Sequence, residues 1–210
     1  MTTPHSKNVF LYAQLRLQLQ SGQYAPGERI DPATLARQFH TSQTPVRFAL
    51  CRFVGEGLLD DHAREGFHVP LPTELVLRDL YDWMRRLLAI ACDIGFESRT
   101  AESTPLAALK PEDDLVTSTH QLFDSIALAT GHLALYRFVQ MTNGRLASIR
   151  RAKQGLVEHA FDELASLVKH WDKQDIPALR RALAEYHERR IRLVPKIVAV
   201  LGGAAPQVRL

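Results

Sequence analysis

Three observations predict a mostly α chain in two parts: a short helix-turn-helix unit carrying a β hairpin, then an antiparallel all-helical bundle. Between residues 31 and 55, two short segments of helical apolar period are separated only by a polar turn. Just beyond Gly57, two brief apolar runs flank a polar, glycine-containing connection. After Pro70-Leu71-Pro72 the apolar residues keep a helical period, and the alternation that a further sheet needs is absent.

Residues 1–8 are polar, lack the apolar core of a secretory leader and are expected to form a flexible arm. Over residues 9–20, Leu11, Leu15 and Leu19 share one helical face with Tyr12. Gly22 and Pro26-Gly27 break the chain, and Arg29-Ile30 offers a small strand. Asp31 suits an N-cap because its carboxylate accepts from first-turn amides, and Pro32 suits the first helical position. Leu35, Ala36 and Phe39 then give that helix one apolar stripe over about two and a half turns.

The next helix is expected to be capped by the Ser42 hydroxyl, or by Thr41, and Pro45 falls in its first turn, where a missing N–H costs nothing. Val46, Ala49, Leu50, Phe53 and Val54 form its buried face up to Gly55. Runs 58–60 and 67–69 read as the two strands of a wing with Arg64 and Gly66 near its tip, which makes residues 9–70 a winged helix-turn-helix. In such a unit the second helix carries its exposed N-terminal residues into the major groove of DNA. Arg47 lies there, opposite Val46 and Leu50.

Thr73 is placed to cap the first helix of the bundle. Residues 75–94 carry Leu80, Trp83, Met84, Leu87, Leu88 and Ala91; residues 113–129 carry Leu115, Leu122, Phe123 and Ile126; residues 133–149 carry Leu135, Phe138, Val139 and Leu146. Segments 156–171 and 177–201 complete the bundle, with breaks expected at Thr104-Pro105, Gly131, Gln174-Asp175 and Gly202-Gly203. The helical domain is expected over 71–203 and a tail over 204–210.

Composition adds little. The 210 residues are 46% hydrophobic, enough for one or two small cores, with a net charge of +3. Residues 1–70 hold seven Lys+Arg against six Asp+Glu, so the positive excess is not concentrated in the unit expected to meet DNA. Cys51 and Cys92 fall on apolar helical faces and are expected to be buried, reduced thiols. No apolar run approaches the roughly twenty residues of a membrane span, and a cytoplasmic location is expected.

Six blocks in order carry a family resemblance: Pro26-Gly27-Glu28-Arg29-Ile30, Leu35-Ala36, Ser42-Gln43-Thr44-Pro45-Val46-Arg47, Ala49-Leu50, Glu56-Gly57-Leu58 and Gly66-Phe67-His68-Val69. Together they resemble the winged-helix domain of the GntR family of bacterial transcription regulators. The resemblance implies DNA contacts by Ser42, Thr44 and Arg47 and, on the wing, by Arg64 and Gly66. Relatives commonly carry arginine where this chain has Gln43, and glutamine pairs with adenine where arginine prefers guanine or phosphate, so a shifted operator preference is expected. His40 replaces a usual glycine in the turn, a position histidine tolerates at positive φ. Arg37 and Arg52 suit phosphate positioning or solvation.

The helical remainder is similar to the FadR branch of that family, whose C-terminal (FCD) domain senses a ligand and dimerises. The resemblance implies a cytoplasmic, ligand-responsive repressor that binds a pseudo-palindromic double-stranded operator as a homodimer. In that branch an Asp followed four residues later by a His, with two later histidines, often holds a divalent metal such as zinc. Here His120 and Asp124 reverse that order, four apart on one helical face, with His187 as a third donor. Met84 and Leu88 stand where relatives place an arginine and a glutamate, so the effector pocket is expected to be apolar, lined by Met84, Leu88, Phe123 and Tyr136 together with Trp171. Loss of that clamp leaves a constitutive DNA-binding regulator as the alternative. An enzyme is not expected: no nucleophile, oxyanion device or phosphate loop accompanies His120, Asp124 and His187.

Overall fold

The computed structural model describes residues 4–96, 109–110 and 112–204. The N-terminal unit contains α1 (Pro4–Gln20), β1 (Arg29–Ile30), α2 (Pro32–Gln38), α3 (Gln43–Gly55), β2 (Asp60–His62) and β3 (Gly66–His68). The bundle contains α4 (Glu74–Ile94), α5 (Leu115–Leu128), α6 (Leu133–Ala152), α7 (Ala160–Asp172) and α8 (Ile176–Ala204). The strands pair antiparallel in the order β1-β3-β2, with Ile30 and Asp61 both opposite Phe67.

One core holds the N-terminal unit together. Leu11, Leu15 and Leu19 of α1 meet Leu35, Ala36, Val46, Ala49, Leu50 and Phe53, and Ile30, Phe67 and Val69 close it from the sheet. Asp31 accepts from the amides of Ala33 and Thr34, as its cap position requires. His40 takes up the left-handed conformation (φ 49°) between α2 and α3, which turns the Thr41 amide back onto the Ala36 carbonyl at 2.9 Å. Glu56, just past α3, binds both Arg16 and the Tyr12 hydroxyl and so ties α1 to the end of α3.

Several sequence expectations are corrected here. Residues 4–8, expected within an arm, belong to α1. Helix α2 has seven residues, about two turns. Leu58 and Leu59 are not strand residues: their amides turn back to the Phe53 carbonyl and their side chains enter the core, so their apolarity reports burial and not pairing. Cys51 is exposed, because it lies about 100° round α3 from Leu50, outside the buried stripe; Cys92 is buried.

In the bundle, α4 packs most extensively on α8 and α5 on α6. Thr73 accepts from the Val76 amide and caps α4. Gly131 (φ 71°) and Gln174 (φ 53°) turn the chain at two of the expected breaks. Gly202-Gly203 is no break, since α8 runs through to Ala204. Helix α7 starts at Ala160 rather than at residue 156, after left-handed His159 (φ 58°). Trp83 and Phe138, expected in the core, are exposed on α4 and α6. The Thr104-Pro105 break, the start of the arm and residues 205–210 of the tail lie outside the described residues.

Helix α8 contains Pro195, which has no N–H for the carbonyl four residues earlier. That carbonyl, of Ile191, instead accepts from Arg78 of α4 at 3.1 Å. Among the described residues no helix is long and apolar enough to cross a membrane.

The two parts meet where α1 lies against α6. Arg151 donates through Nε to the Ser21 carbonyl (2.9 Å) and through its two terminal nitrogens to Asp114 (2.8 and 2.6 Å), the residue that caps α5. Gly22 sits so close that a Cβ there would lie 2.6 Å from Cβ and Cγ of Arg151. Leu58 approaches Gly144 of α6 in the same way.

Candidate nucleic-acid interface

Helix α3 has two faces. Val46, Ala49, Leu50 and Phe53 are buried against α1, α2 and the sheet, whereas Ser42, Gln43, Thr44 and Arg47 are all exposed at its N-terminal end. The inward stripe fixes the outward one, because residues a turn apart share a side of the helix. Ser42 occupies the N-cap position in extended backbone, yet its side chain makes no capping hydrogen bond, contrary to expectation; the hydroxyl is left free to meet an external acceptor. The start of α3 and the exposed Arg37 of α2 line one open recess with His40 and Thr41. Arg37 is oriented by donating to the Thr34 hydroxyl at 3.0 Å.

The wing presents Arg64 in the exposed turn between β2 and β3. Gly66 opens β3 at φ 82°, a conformation that favours glycine, and no atom lies within 4 Å of where its Cβ would be. The backbone there can approach a groove without a side chain intervening.

Phe48 escaped the sequence reading, and so did the packing of Arg52. Phe48 is 68% exposed beside Arg47, on a helix whose other aromatic, Phe53, is buried. Its position just off the Val46–Leu50 stripe was the available signal, and an exposed aromatic on a groove-facing helix can contact a thymine methyl. Arg52 lies over the Tyr12 ring at 4.0 Å, and Tyr12 in turn stacks on Phe53, so Arg52 is held by the domain rather than simply solvated.

The expected metal trio does not assemble. His120 Nε2 and Asp124 Oδ2 are 3.6 Å apart, but Asn143 donates to Asp124 Oδ1 (2.8 Å) and to the His120 carbonyl (2.9 Å). Arg150 completes the chain by donating to Asn143 Oδ1 at 2.6 Å. His187 is fully buried, stacked against Phe123, with Nδ1 hydrogen-bonded to the Leu183 carbonyl at 2.7 Å and Nε2 unpartnered. Among the described residues no three His, Cys, Asp or Glu side chains are grouped to share an ion. Burial pushes His187 down to about 3 and His120 to about 4, so both are neutral imidazoles, and burial raises Asp124. The donor set does not fit a metal, because His187 does not join His120 and Asp124 in a group of three, and Asn143 already donates to one oxygen of Asp124.

The expected apolar pocket is likewise core. Met84, Leu88 and Phe123 are 0% exposed in one cluster, with Trp171 in the same cluster and half-buried Tyr136 at its edge, bonded to Gln140. Apolar residues at helical spacing here pack against one another in the bundle core. Arg85 and Arg86, near them in sequence, both pair with Asp82 on their own helix.

A cavity of about 100 Å3 opens elsewhere, where the start of α5, the end of α6 and the middle of α8 meet. Leu115, Val116, Val157 and Ala160 supply apolar walls, while Arg150, Lys153 and Arg190 line it with three cations. These are only 4%, 6% and 3% exposed. Glu163 pairs with Arg190 at 2.6 Å and with Arg189; Lys153 Nζ and the Nε atoms of Arg150 and Arg190 have no hydrogen-bond partner, although Lys153 Nζ lies 5.3 Å from the Tyr81 ring and the Arg190 guanidinium 3.3 Å from the Tyr186 ring. Burial pushes the Lys153 amine well down, with Arg190 and Arg150 adding to the effect. The sequence signal for this cluster was polar residues on a buried stripe: Val139, Asn143, Leu146, Arg150 and Lys153 recur in alternating steps of four and three.

Residues 7–69 match the gntR family of bacterial regulatory proteins. The Nta operon transcriptional regulator of Aminobacter aminovorans is 26% identical, covering 79% of this chain and 93% of that protein. The uncharacterized HTH-type transcriptional regulator YdhC of Bacillus subtilis (strain 168) is 28% identical over 49% of this chain and 46% of its own. Among solved structures, a Rhodococcus sp. RHA1 protein described as a GntR regulator superposes with a TM-score of 0.74 at 15% identity, over 91% of this chain and 98% of that one. E. coli McbR/YncC does so with a TM-score of 0.66 at 20% identity, over 93% and 99%.

Proposed function

We propose that this transcriptional regulator of GntR type, whose DNA-binding helix-turn-helix lies within residues 7–69, recognises a pseudo-palindromic operator as a homodimer and acts as a ligand-responsive repressor. It is not an enzyme. The observation that carries the reading is the outward set of Ser42, Gln43, Thr44 and Arg47 at the start of α3, with the opposite face locked in the core. Gln43 would favour adenine within the half-site, Arg47 would pair with a guanine or a phosphate, and Arg37 and Arg64 would neutralise backbone on either side.

The helical domain is proposed as an FCD-like dimerisation and sensing unit. An exposed apolar stripe supports its dimer role: Val76, Trp83 and Ile90 recur at seven-residue steps along α4, with Ile94 four beyond. Binding of cellular DNA goes with a cytoplasmic location. An effector would act by favouring one arrangement of the two DNA-binding units, which requires unequal affinity for the two arrangements.

Selection of duplexes from a random library, with titration of the enriched site, tests the DNA reading. Two protomers per duplex are expected. Arg47→Ala is expected to weaken binding by about 1–3 kcal/mol, or, if the contact is to phosphate, to lower the salt slope by about one. Unchanged affinity together with an unchanged slope would refute the contact assignment.

A further inference from the structure

We propose that the cavity between α5, α6 and α8 is an anion site, and that its ligand carries a doubly charged head such as orthophosphate or a small phosphate monoester. The inference deepens the ligand-responsive reading above and rests on it. Three nearly buried cations, Arg150, Lys153 and Arg190, line one small cavity, and Glu163 is the one carboxylate paired into the cluster among the described residues. Arg150 and Arg190 against Glu163 leave one positive charge, and an entering dianion would hold the depressed Lys153 amine protonated and so raise the excess to two. A dianion balances it, whereas a monocarboxylate leaves one cation uncompensated in a medium where that is costly.

The donors are also in place. Lys153 Nζ, Arg150 Nε and Arg190 Nε have no hydrogen-bond partner within the protein. Other nitrogens are engaged: Arg150 Nη1 donates to Asn143 Oδ1 at 2.6 Å, Arg190 Nη1 donates to the Tyr186 carbonyl at 2.9 Å, and Arg190 Nη2 forms an ion pair with Glu163. Both arginines are thus fixed from behind, a preorganised arrangement that suits an oxyanion with several acceptor oxygens. Leu115, Val116 and Val157 leave the rest of the cavity apolar, so any group esterified to the phosphate would be small and uncharged.

The site is adjacent to the joint between the two parts. Arg151, next in sequence to Arg150, holds both Asp114 at the head of α5 and the Ser21 carbonyl at the end of α1. Leu115 and Val116, the first residues of α5 beyond Asp114, line the cavity itself. An anion that draws Arg150 and Lys153 toward it therefore pulls on the end of α6 that anchors the DNA-binding unit.

Thermal unfolding of the full chain in millimolar inorganic phosphate or sulfate, against chloride at equal ionic strength and against butyrate, tests this. Phosphate and sulfate are expected to raise Tm saturably by about 3 °C or more, with chloride and butyrate without effect. Lys153→Met is expected to weaken phosphate binding about tenfold or more while raising the Tm of the unliganded protein, because an unpaired buried amine is removed. Glu163→Gln, which removes the competing carboxylate, is expected to tighten phosphate several-fold. Opposite effects of these two variants distinguish a charge-balanced site from a merely structural one. A butyrate response equal to that of phosphate, no response to any anion, or phosphate binding insensitive to both variants would each overturn the proposal. Duplex binding by the wild-type chain in phosphate-free buffer is measured separately, and its failure would count against the DNA reading and not against this site.

Discussion

At the scale of single residues, the outward side chains were the most legible and the buried polar ones the least. Ser42, Gln43, Thr44 and Arg47 could be placed from the apolar stripe of α3 alone, since a helix that buries Val46, Ala49, Leu50 and Phe53 must expose them. His120, Asp124 and His187 could not, because spacing along one helix does not say which partner arrives from another. Asn143 arrived, and with it Arg150. The two histidines have a measurable consequence. Each is held neutral in the fold, near 3 for His187 and near 4 for His120, against 6.5 when unburied. The unfolded chain therefore binds more protons below that value, and their contribution is complete above pH 6.5 and is lost as pH falls toward 4 and then 3. Between pH 7 and 5 each should cost roughly 2 kcal/mol of stability. Asp124, raised by burial, works in the opposite sense, so the comparison to make is between variants. Urea midpoints of His187→Leu should fall less steeply over this range than those of the wild type; parallel curves would show that His187 becomes protonated without unfolding.

At the scale of elements, helices and the small strand at Arg29-Ile30 were legible, whereas the bounds of the wing strands were not. The structure keeps α4 and α5 close to their expected bounds because Thr73 and Asp114 accept from first-turn amides. The wing slipped by about two residues because Leu58 and Leu59 are apolar for the sake of the core. Nor could a sequence announce that Gly202-Gly203 would continue a helix. Pro195 is the most instructive case. Its missing N–H is answered across the bundle by Arg78, which donates to the Ile191 carbonyl. Arg78→Met should destabilise by about 1–3 kcal/mol, since it leaves that acceptor unpaired. In a Pro195→Ala background the helix can supply its own donor, and the cost of losing Arg78 should shrink by about 1 kcal/mol, a coupling read from a double-mutant cycle. Equal costs in both backgrounds would mean that Arg78 does something else.

For the whole molecule, the stretch without helix or strand around Pro70-Leu71-Pro72, between β3 and α4, was legible, but the way α1 and α6 touch was not. That contact depends on Gly22 being bare and on Arg151 reaching from α6 to α1, two residues 129 positions apart in the chain. Gly22→Ala should cost about 1–2 kcal/mol for its positive φ alone, and more because Arg151 must move. Gly95→Ala, with open space around it but an extended ψ of 176° at its φ of 85°, serves as a control without the clash. Small-angle scattering should report a changed separation of the two parts for the first variant and none for the second.

The bare α-carbon at position 22 also acts as a shim. In the proposed homodimer the same joint occurs twice, related by a two-fold axis, so any tilt introduced at one copy is mirrored at the other and the error in alignment doubles. Recognition helices matched to half-sites about 34 Å apart tolerate little such error before one of them leaves its groove. The smallest side chain in the protein thereby sets the gauge between two reading heads.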